Sequence, residues 1–171
     1  QVGGENFEII AVAQDSAGEN AAGPFYDAAN ATYTTLIDTN HALSSLFSLV
    51  NVPTGVLIDE EGVMVRHDED AYSKVHSMGP FEFGNDRYRP VVLDWVANGA
   101  DSVYAKSPEE VTAPLRGGTD DEAQADALFK LGVYFYQTGN EELANQYWDE
   151  AQALQPASWN MHRQDWSFLD P

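Results

Sequence analysis

The stretch VPTGVLIDEEGVMVRH, residues 52–67, decides how the front half of the chain folds. Two short apolar runs, 55–59 (GVLID) and 63–67 (VMVRH), flank the acidic turn Glu60-Glu61-Gly62. Apolar strands around a Gly-containing turn predict a hairpin. Upstream, residues 7–13 (FEIIAVA) are β-branched-rich, apolar on both faces and end near Asp15, the pattern of a buried parallel strand. Residues 16–23 are small and polar and read as a loop, and 24–31 (PFYDAANA) predict a short helix with Pro in its first turn. A short strand follows at 34–37, ending at Asp38. Residues 40–48 (NHALSSLFS) put Leu43, Leu46 and Phe47 on one helical face. Downstream, 68–86 is polar, with Gly79, Pro80 and Gly84, and reads as an irregular excursion. Residues 88–98 (YRPVVLDWVAN) place Val91, Val92, Trp95 and Val96 on one helical face, and Gly99 stops the helix.

A linker over 101–118 separates this front domain, residues 1–100, from a helical domain at 119–171. Within the linker Ser107-Pro108-Glu109-Glu110 is a helix start, which Pro114 and Gly117-Gly118 cut short. Thr119-Asp120-Asp121-Glu122 is a second capping-box pattern and opens a helix reaching about Thr138. Gly139-Asn140 makes the turn, with Asn140 as N-cap, and a second helix runs over 141–154 to Pro156. The tail, 157–171, carries Trp159, Trp166 and Phe168, and rings of that size predict that it packs back on the hairpin.

Composition narrows the partners. The chain has 28 acidic residues against 3 Lys and 5 Arg, a net charge of −20, spread along its whole length. Phosphate contacts need a basic face, so nucleic acid is excluded as a partner, and an anionic membrane surface is disfavoured. Dispersed carboxylates keep a protein hydrated, which fits a marine or halophilic setting as well as an ordinary low-pI protein. No run approaches the roughly 18–20 apolar residues of a membrane span. Hydrophobic residues make up 43% of the chain, enough for a packed core. Cysteine is absent, so this chain holds no disulfide, no thiolate metal site and no thiol nucleophile. The opening Gln1-Val2-Gly3-Gly4 is polar, and the N-terminus is expected to be a product of processing, cloning or fragmentation.

In their order, FEIIAVAQD and then TTLIDTNHALSSLFSLVNVPTGVLIDEEGVMVRH, residues 7–67 resemble a thioredoxin-fold domain of the TlpA/ResA type, related to the AhpC/TSA redoxins. Carrying the resemblance are a strand running to Asp15, the strand–Asp–short helix at 36–47, and Val52-Pro53-Thr54 followed by strand, Asp-x-x-Gly and strand. The resemblance implies that Pro53 is cis and that Val52, Pro53 and Thr54 line a substrate-peptide groove. It implies thiol–disulfide exchange, or a related peroxide or thiol reduction, in a bacterial, extracytoplasmic protein. The family's nucleophile lies in a W-x-x-C-x-x-C-type segment before the first strand seen here, at a helix N-terminus that lowers the thiol pKa. That strand–helix unit would also supply an inner strand between those matching 7–13 and 55–59. The chain is therefore expected to be an incomplete α/β thioredoxin-like domain, the C-terminal part of a longer polypeptide, with its N-terminal βα unit missing. An upstream segment or a protein partner would complete the sheet, and 7–13, 55–59 and 63–67 are expected in one sheet with a gap after the first.

Residues 125–158 resemble one tetratricopeptide repeat, a helix–turn–helix unit of about 34 residues. Leu128, Leu131, Gly132 and Phe135 fall at its first-helix positions, Ala144, Trp148 and Ala151 on the second helix, and Pro156 at the end. The small residues let the helices approach, and the large ones fill the remaining volume. One repeat cannot bury both faces, so this hairpin is expected to dock on something.

Other signals are weak. His41, His67, His76 and His162 are scattered without ligand spacing, and Asp68-Glu69-Asp70 reads as a solvated loop. Asn30-Ala31-Thr32 fits a glycosylation sequon, Trp95 reads as core, and Phe81, Phe83 and Tyr88 fit either a groove or a loop folded over the core. No catalytic residue, metal site or cofactor is expected within the chain. Two readings stand: the C-terminal part of a redox enzyme with its nucleophile upstream of Gln1, or a redox-inactive interaction module built on the same groove and hairpin.

Overall fold

Residues 55–68 fold back on themselves in the computed structural model, which describes residues 7–113, 115 and 119–169 apart from the side chains of Met78 and 165–169. Strand β1 is Ile10–Gln14, helix α1 Glu19–Ala29, strand β2 Thr34–Asp38 and helix α2 Ala42–Phe47. Then come β3 (Gly55–Ile58), β4 (Met64–Asp68), β5 (Lys74–Met78), β6 (Phe81–Asn85) and α3 (Tyr88–Asn98). A 3₁₀ turn at Gly99–Asp101 leads to α4 (Pro108–Thr112), α5 (Asp120–Gln137), α6 (Glu141–Leu154) and α7 (Trp159–Leu169).

Two packed units emerge. One holds residues 51–113, the other 8–50 together with 119–169. The sequence division at 101–118 separates the helical hairpin from everything before it, whereas in the structure residues 8–50 pack with that hairpin. Long-range polar bonds account for the difference: Ser45 Oγ donates to Asp126 at 2.7 Å, and Asn160 Nδ2 to the Leu49 carbonyl at 2.8 Å.

In the first unit, β3 and β4 pair antiparallel with Gly55 opposite Asp68 and an irregularity between Leu57 and Ile58. The Asp-x-x-Gly turn explains its own residues. Asp59 Oδ1 accepts from the amides of Glu61 (3.1 Å) and Val63 (2.8 Å), while Gly62 takes φ 81, open to glycine at little cost. The expected irregular excursion is instead a second hairpin. β5 and β6 pair antiparallel from Lys74–Asn85 to Met78–Phe81, leaving the two-residue loop Gly79-Pro80. Helix α3 ends at Gly99, as its sequence predicts. Val91 is its buried face, Val92 and Trp95 are half-buried, and Val96 is exposed.

In the second unit, β1 and β2 run parallel, Ile10 opposite Thr34 through Gln14 opposite Asp38. Helix α1 supplies the crossover such a pair requires. It begins five residues before the sequence predicts, at Glu19, with Pro24 in its interior. Tyr26 of α1 donates to the carbonyls of Ala11 (3.2 Å) and Leu36 (3.1 Å), tying the helix to both strands. β1 is not the buried strand its composition predicts: Ile10 is 59% exposed and no β1 residue is fully buried. A strand with one neighbour in a two-stranded sheet cannot be covered as an inner strand is. The described strands form three two-stranded pairs: β3 is bonded to β4 as the sequence reading expects of 55–59 and 63–67, and β1 is not bonded to β3, where that reading leaves a gap.

The core of this unit lies in the helical hairpin. Ala125, Phe129 and Val133 of α5 meet Ala144, Trp148 and Ala151 of α6, with Met161 of α7 joining them. Capping boxes at Ser107–Glu110 and Thr119–Glu122 and the Asn140 cap form where the sequence places them.

Candidate functional site

The second unit holds a buried polar node at the carboxyl ends of its parallel strands. β1 delivers Asp15 and Ser16, and β2 delivers Asp38 and, after one turn, His41. Asp38 accepts from the amides of Ala42 (3.0 Å) and Leu43 (2.8 Å), so it caps α2 from four residues upstream. This geometry turns His41 inward on a left-handed backbone (φ 52), with the residue 3% exposed. The His41 ring meets the Phe129 ring edge-on at 5.0 Å. Its Nε2 lies 2.9 Å from Gln164 Oε1 and 3.1 Å from Ser16 Oγ, and the Ser16 amide donates to the same Gln164 oxygen at 2.9 Å.

The proton inventory of this node decides its chemistry. Gln164 Oε1 can only accept, so the short contact requires the proton on Nε2. A ring protonated on Nε2 cannot take the Ser16 hydroxyl proton there, so Ser16 is not an activated nucleophile. Nδ1, the remaining lone pair, is buried with no hydrogen-bond partner among the described residues, and no carboxylate orients it. Burial pushes the His41 pKa below its usual value, opposed by the Gln164 bond and by Asp38, Asp15 and Asp126. The arrangement fits a structural clamp and lacks the parts of a Ser–His–acid triad.

The groove residues expected from the resemblance lie in the first unit. Val52, Pro53 and Thr54 are half-buried, and the Val52-Pro53 bond is cis. Thr54 Oγ1 donates to the Asn51 carbonyl at 2.7 Å, and the Pro53 carbonyl accepts from Ala71 at 2.9 Å. Tyr88 of α3 sits flush on Gly55, where a Cβ would lie 2.2 Å from its Oη. Burial pushes the Tyr88 pKa up to about 12; Asp68 adds to the rise and Arg66 opposes it. Asp68 is bridged by Arg66 Nε and, at 3.3 Å, by Lys106 Nζ. His67 is buried with Nε2 unpartnered, and burial lowers its pKa against the pull of Glu69 and Asp68. None of these groups is a nucleophile poised beside a base.

The repeat-signature residues come together in part. Gly132, Ala144, Trp148 and Ala151 are buried, Leu128, Leu131 and Phe135 half-buried, and Pro156 exposed. Trp148 is 1% exposed and donates to the Phe129 carbonyl at 3.2 Å. Phe129, Val133 and Met161 belong to this core although the signature does not name them. Trp159 is 50% exposed and leans on His162, and Met161 of the tail joins the hairpin core. Trp166 and Phe168 have side chains outside the described residues. His76 stacks on Phe83 at 5.3 Å, Phe81 is exposed, and His162 donates to the Pro156 carbonyl at 3.1 Å. Asn30, of the sequon, is exposed as the left-handed C-cap of α1. A shallow cleft on the second unit is lined by Asn40, Ala42, Lys130, Val133, Tyr134 and Gln137.

Among the described residues no group of three or more His, Asp or Glu side chains is placed to hold a metal, and no helix is long and apolar enough to cross a membrane. Comparison with family models, with curated proteins and with solved structures finds no match. Ser16 and Gln164 carry no signal in the sequence. His41 is visible only as a histidine three residues after the strand-ending Asp38.

Proposed function

We propose that the chain is the C-terminal part of a thioredoxin-family thiol–disulfide oxidoreductase or peroxiredoxin-like redox protein. Its nucleophile lies upstream of Gln1, and Val52, Pro53 and Thr54 line the substrate groove. The observation carrying this reading is the pairing pattern. Among the described residues β1 is bonded to β2 alone and β3 to β4 alone, so each has an open edge; in the family a further strand pairs with both of the strands they match. An open edge presents a row of amide and carbonyl groups that a further strand satisfies. The setting proposed is bacterial and extracytoplasmic, where thiol–disulfide exchange operates.

The test is the natural polypeptide. Its upstream sequence should carry a Cys or selenocysteine motif, and that longer protein should reduce insulin disulfides while the 171-residue chain does not. A natural protein lacking any such motif overturns the proposal.

One observation favours the second reading, a redox-inactive interaction module. Tyr134 is 57% exposed beside Lys130 in the cleft on the helical hairpin, with Asn40 and Gln137 offering amides to a bound chain. Co-purification of a stoichiometric protein partner with the cysteine-free chain, lost in Tyr134→Ala, would support it.

A further inference from the structure

The two parts of the second unit carry net charge of one sign. Residues 8–50 hold five carboxylates, Glu8, Asp15, Glu19, Asp27 and Asp38, and neither Lys nor Arg. Residues 119–169 hold nine, against Lys130 and Arg163. The seam between the parts is itself acidic. Asp15 directly precedes Ser16, whose amide donates to Gln164 Oε1 at 2.9 Å. Asp38 caps α2, and Ser45 of that helix donates to Asp126 of α5 at 2.7 Å. Lys130 lies 2.9 Å from Asp126 within α5 and offsets that one carboxylate. The buried apolar cluster of α5, α6 and Met161 includes no residue of 8–50.

We infer that ionic strength controls docking within the second unit. Residues 8–50 stay on the helices of 119–169 where salt screens the repulsion between the two parts, and lift away where it does not. Like charges repel over a range set by the Debye length, about 30 Å at 10 mM salt and about 8 Å at 0.15 M. The longer range spans a small domain, and the shorter is less than the roughly 10–12 Å width of one helix. The bonds across the seam respond differently. Those from the Ser16 amide to Gln164 and from Asn160 Nδ2 to the Leu49 carbonyl link uncharged groups, and screening leaves them in place. Salt therefore removes the opposing effect and keeps the joining one. Helices α5 and α6 meet through buried apolar side chains, a contact that screening touches far less.

Hydrogen exchange on the full chain, at one pH and corrected for intrinsic rates, reads the docking through two amides that cross the seam. They are Ser16, bonded to Gln164, and Asn160, bonded to the Val50 carbonyl at 3.4 Å. From about 10 mM to about 300 mM NaCl their protection should rise at least about tenfold, while core amides of α5 and α6 change by less than about threefold. Choline chloride at the same ionic strength should act alike, because screening does not distinguish monovalent cations. Glu19→Gln with Asp27→Asn, two exposed positions on α1, removes two of the five charges and should move the rise to lower salt. Protection of Ser16 and Asn160 that ignores salt, an equal gain in α5 and α6, a response to sodium but not to choline, or an unmoved salt midpoint in the double variant would each overturn the inference.

Discussion

Gly132→Ala adds one methyl group at the closest approach of α5 and α6. A Cβ at this position would lie 2.5 Å from both Cδ1 and Nε1 of Trp148 and 3.0 Å from its Cε2. Trp148 cannot retreat without loss, because it is 1% exposed and its indole N–H donates to the Phe129 carbonyl. Overpacking of this kind costs about 1–3 kcal/mol, and a disrupted buried hydrogen bond about 1 kcal/mol more. Helix propensity works the other way, since alanine is favoured over glycine by about 1 kcal/mol. The steric term wins, and the net expectation is a destabilisation of about 1–3 kcal/mol, or a midpoint lower by roughly 10 °C for a unit of about 100 residues.

A double-mutant cycle separates this contact from a general helix effect. Trp148→Phe removes Nε1 and the edge atoms that the new methyl would strike. The double variant should be more stable than the sum of the two single changes predicts, by about 1 kcal/mol or more, as expected for residues in contact. Urea unfolding followed by far-ultraviolet circular dichroism gives all four values. A Gly132→Ala variant with a raised midpoint, or additive effects within about 0.5 kcal/mol, would refute the packing argument.

Three further outcomes follow from the same geometry. Gly55→Ala should lower the thermal midpoint of the first unit, because its Cβ would sit 2.2 Å from Tyr88 Oη, and Tyr88→Ala should remove that penalty in the double variant. Tyr88 should ionise near pH 12, read as the ultraviolet phenolate transition missing from Tyr88→Phe. Its folded pKa is raised, so its contribution to stability is whole below about pH 10 and is lost as the pH rises toward 12. Thr119→Ala should cost about 1 kcal/mol, because Thr119 Oγ1 accepts from the Glu122 amide at 3.2 Å and the Glu122 carboxylate returns the bond at 2.8 Å. An unchanged urea midpoint for that variant would show that the box does not hold the start of α5.

What could be read in advance was local. The Thr119 and Ser107 boxes, the Asn140 cap and the Asp59–Gly62 turn each depend on residues within four positions of one another, and all form as their spacing implies. The β5–β6 hairpin escaped because Lys74, His76 and Ser77 carry no strand-like apolar alternation; its register follows from His76 lying against Phe83 and Gly84 opposite Val75. The start of α1 escaped because Gly18 provides no side-chain cap and Pro24 looks like a helix start rather than an interior residue. Phe129 escaped because the repeat signature weighs contacts inside the hairpin, whereas Phe129 also meets His41. The candidate node was the least legible part: Ser16, His41 and Gln164 are brought together across 148 and 123 residues, and no spacing rule reaches that far.

The distribution of burial says how firmly residues 8–50 are attached to the helices they pack on. Within residues 8–50, Ala22 is the one buried hydrophobic side chain, and Ser16 and His41 are buried polar ones. The hairpin keeps its apolar core to itself, in α5, α6 and Met161. Among the contacts that join the two parts are the hydrogen bonds of Ser16 and His41 to Gln164, of Ser45 to Asp126 and of Asn160 to Leu49 and Val50, with the His41–Phe129 ring contact. Each such bond contributes a net of about 1 kcal/mol, more where Asp126 is the acceptor. A handful sums to no more than the cost of ordering the side chains and the α7 segment that make them. An attachment so balanced is sensitive to any change in one member.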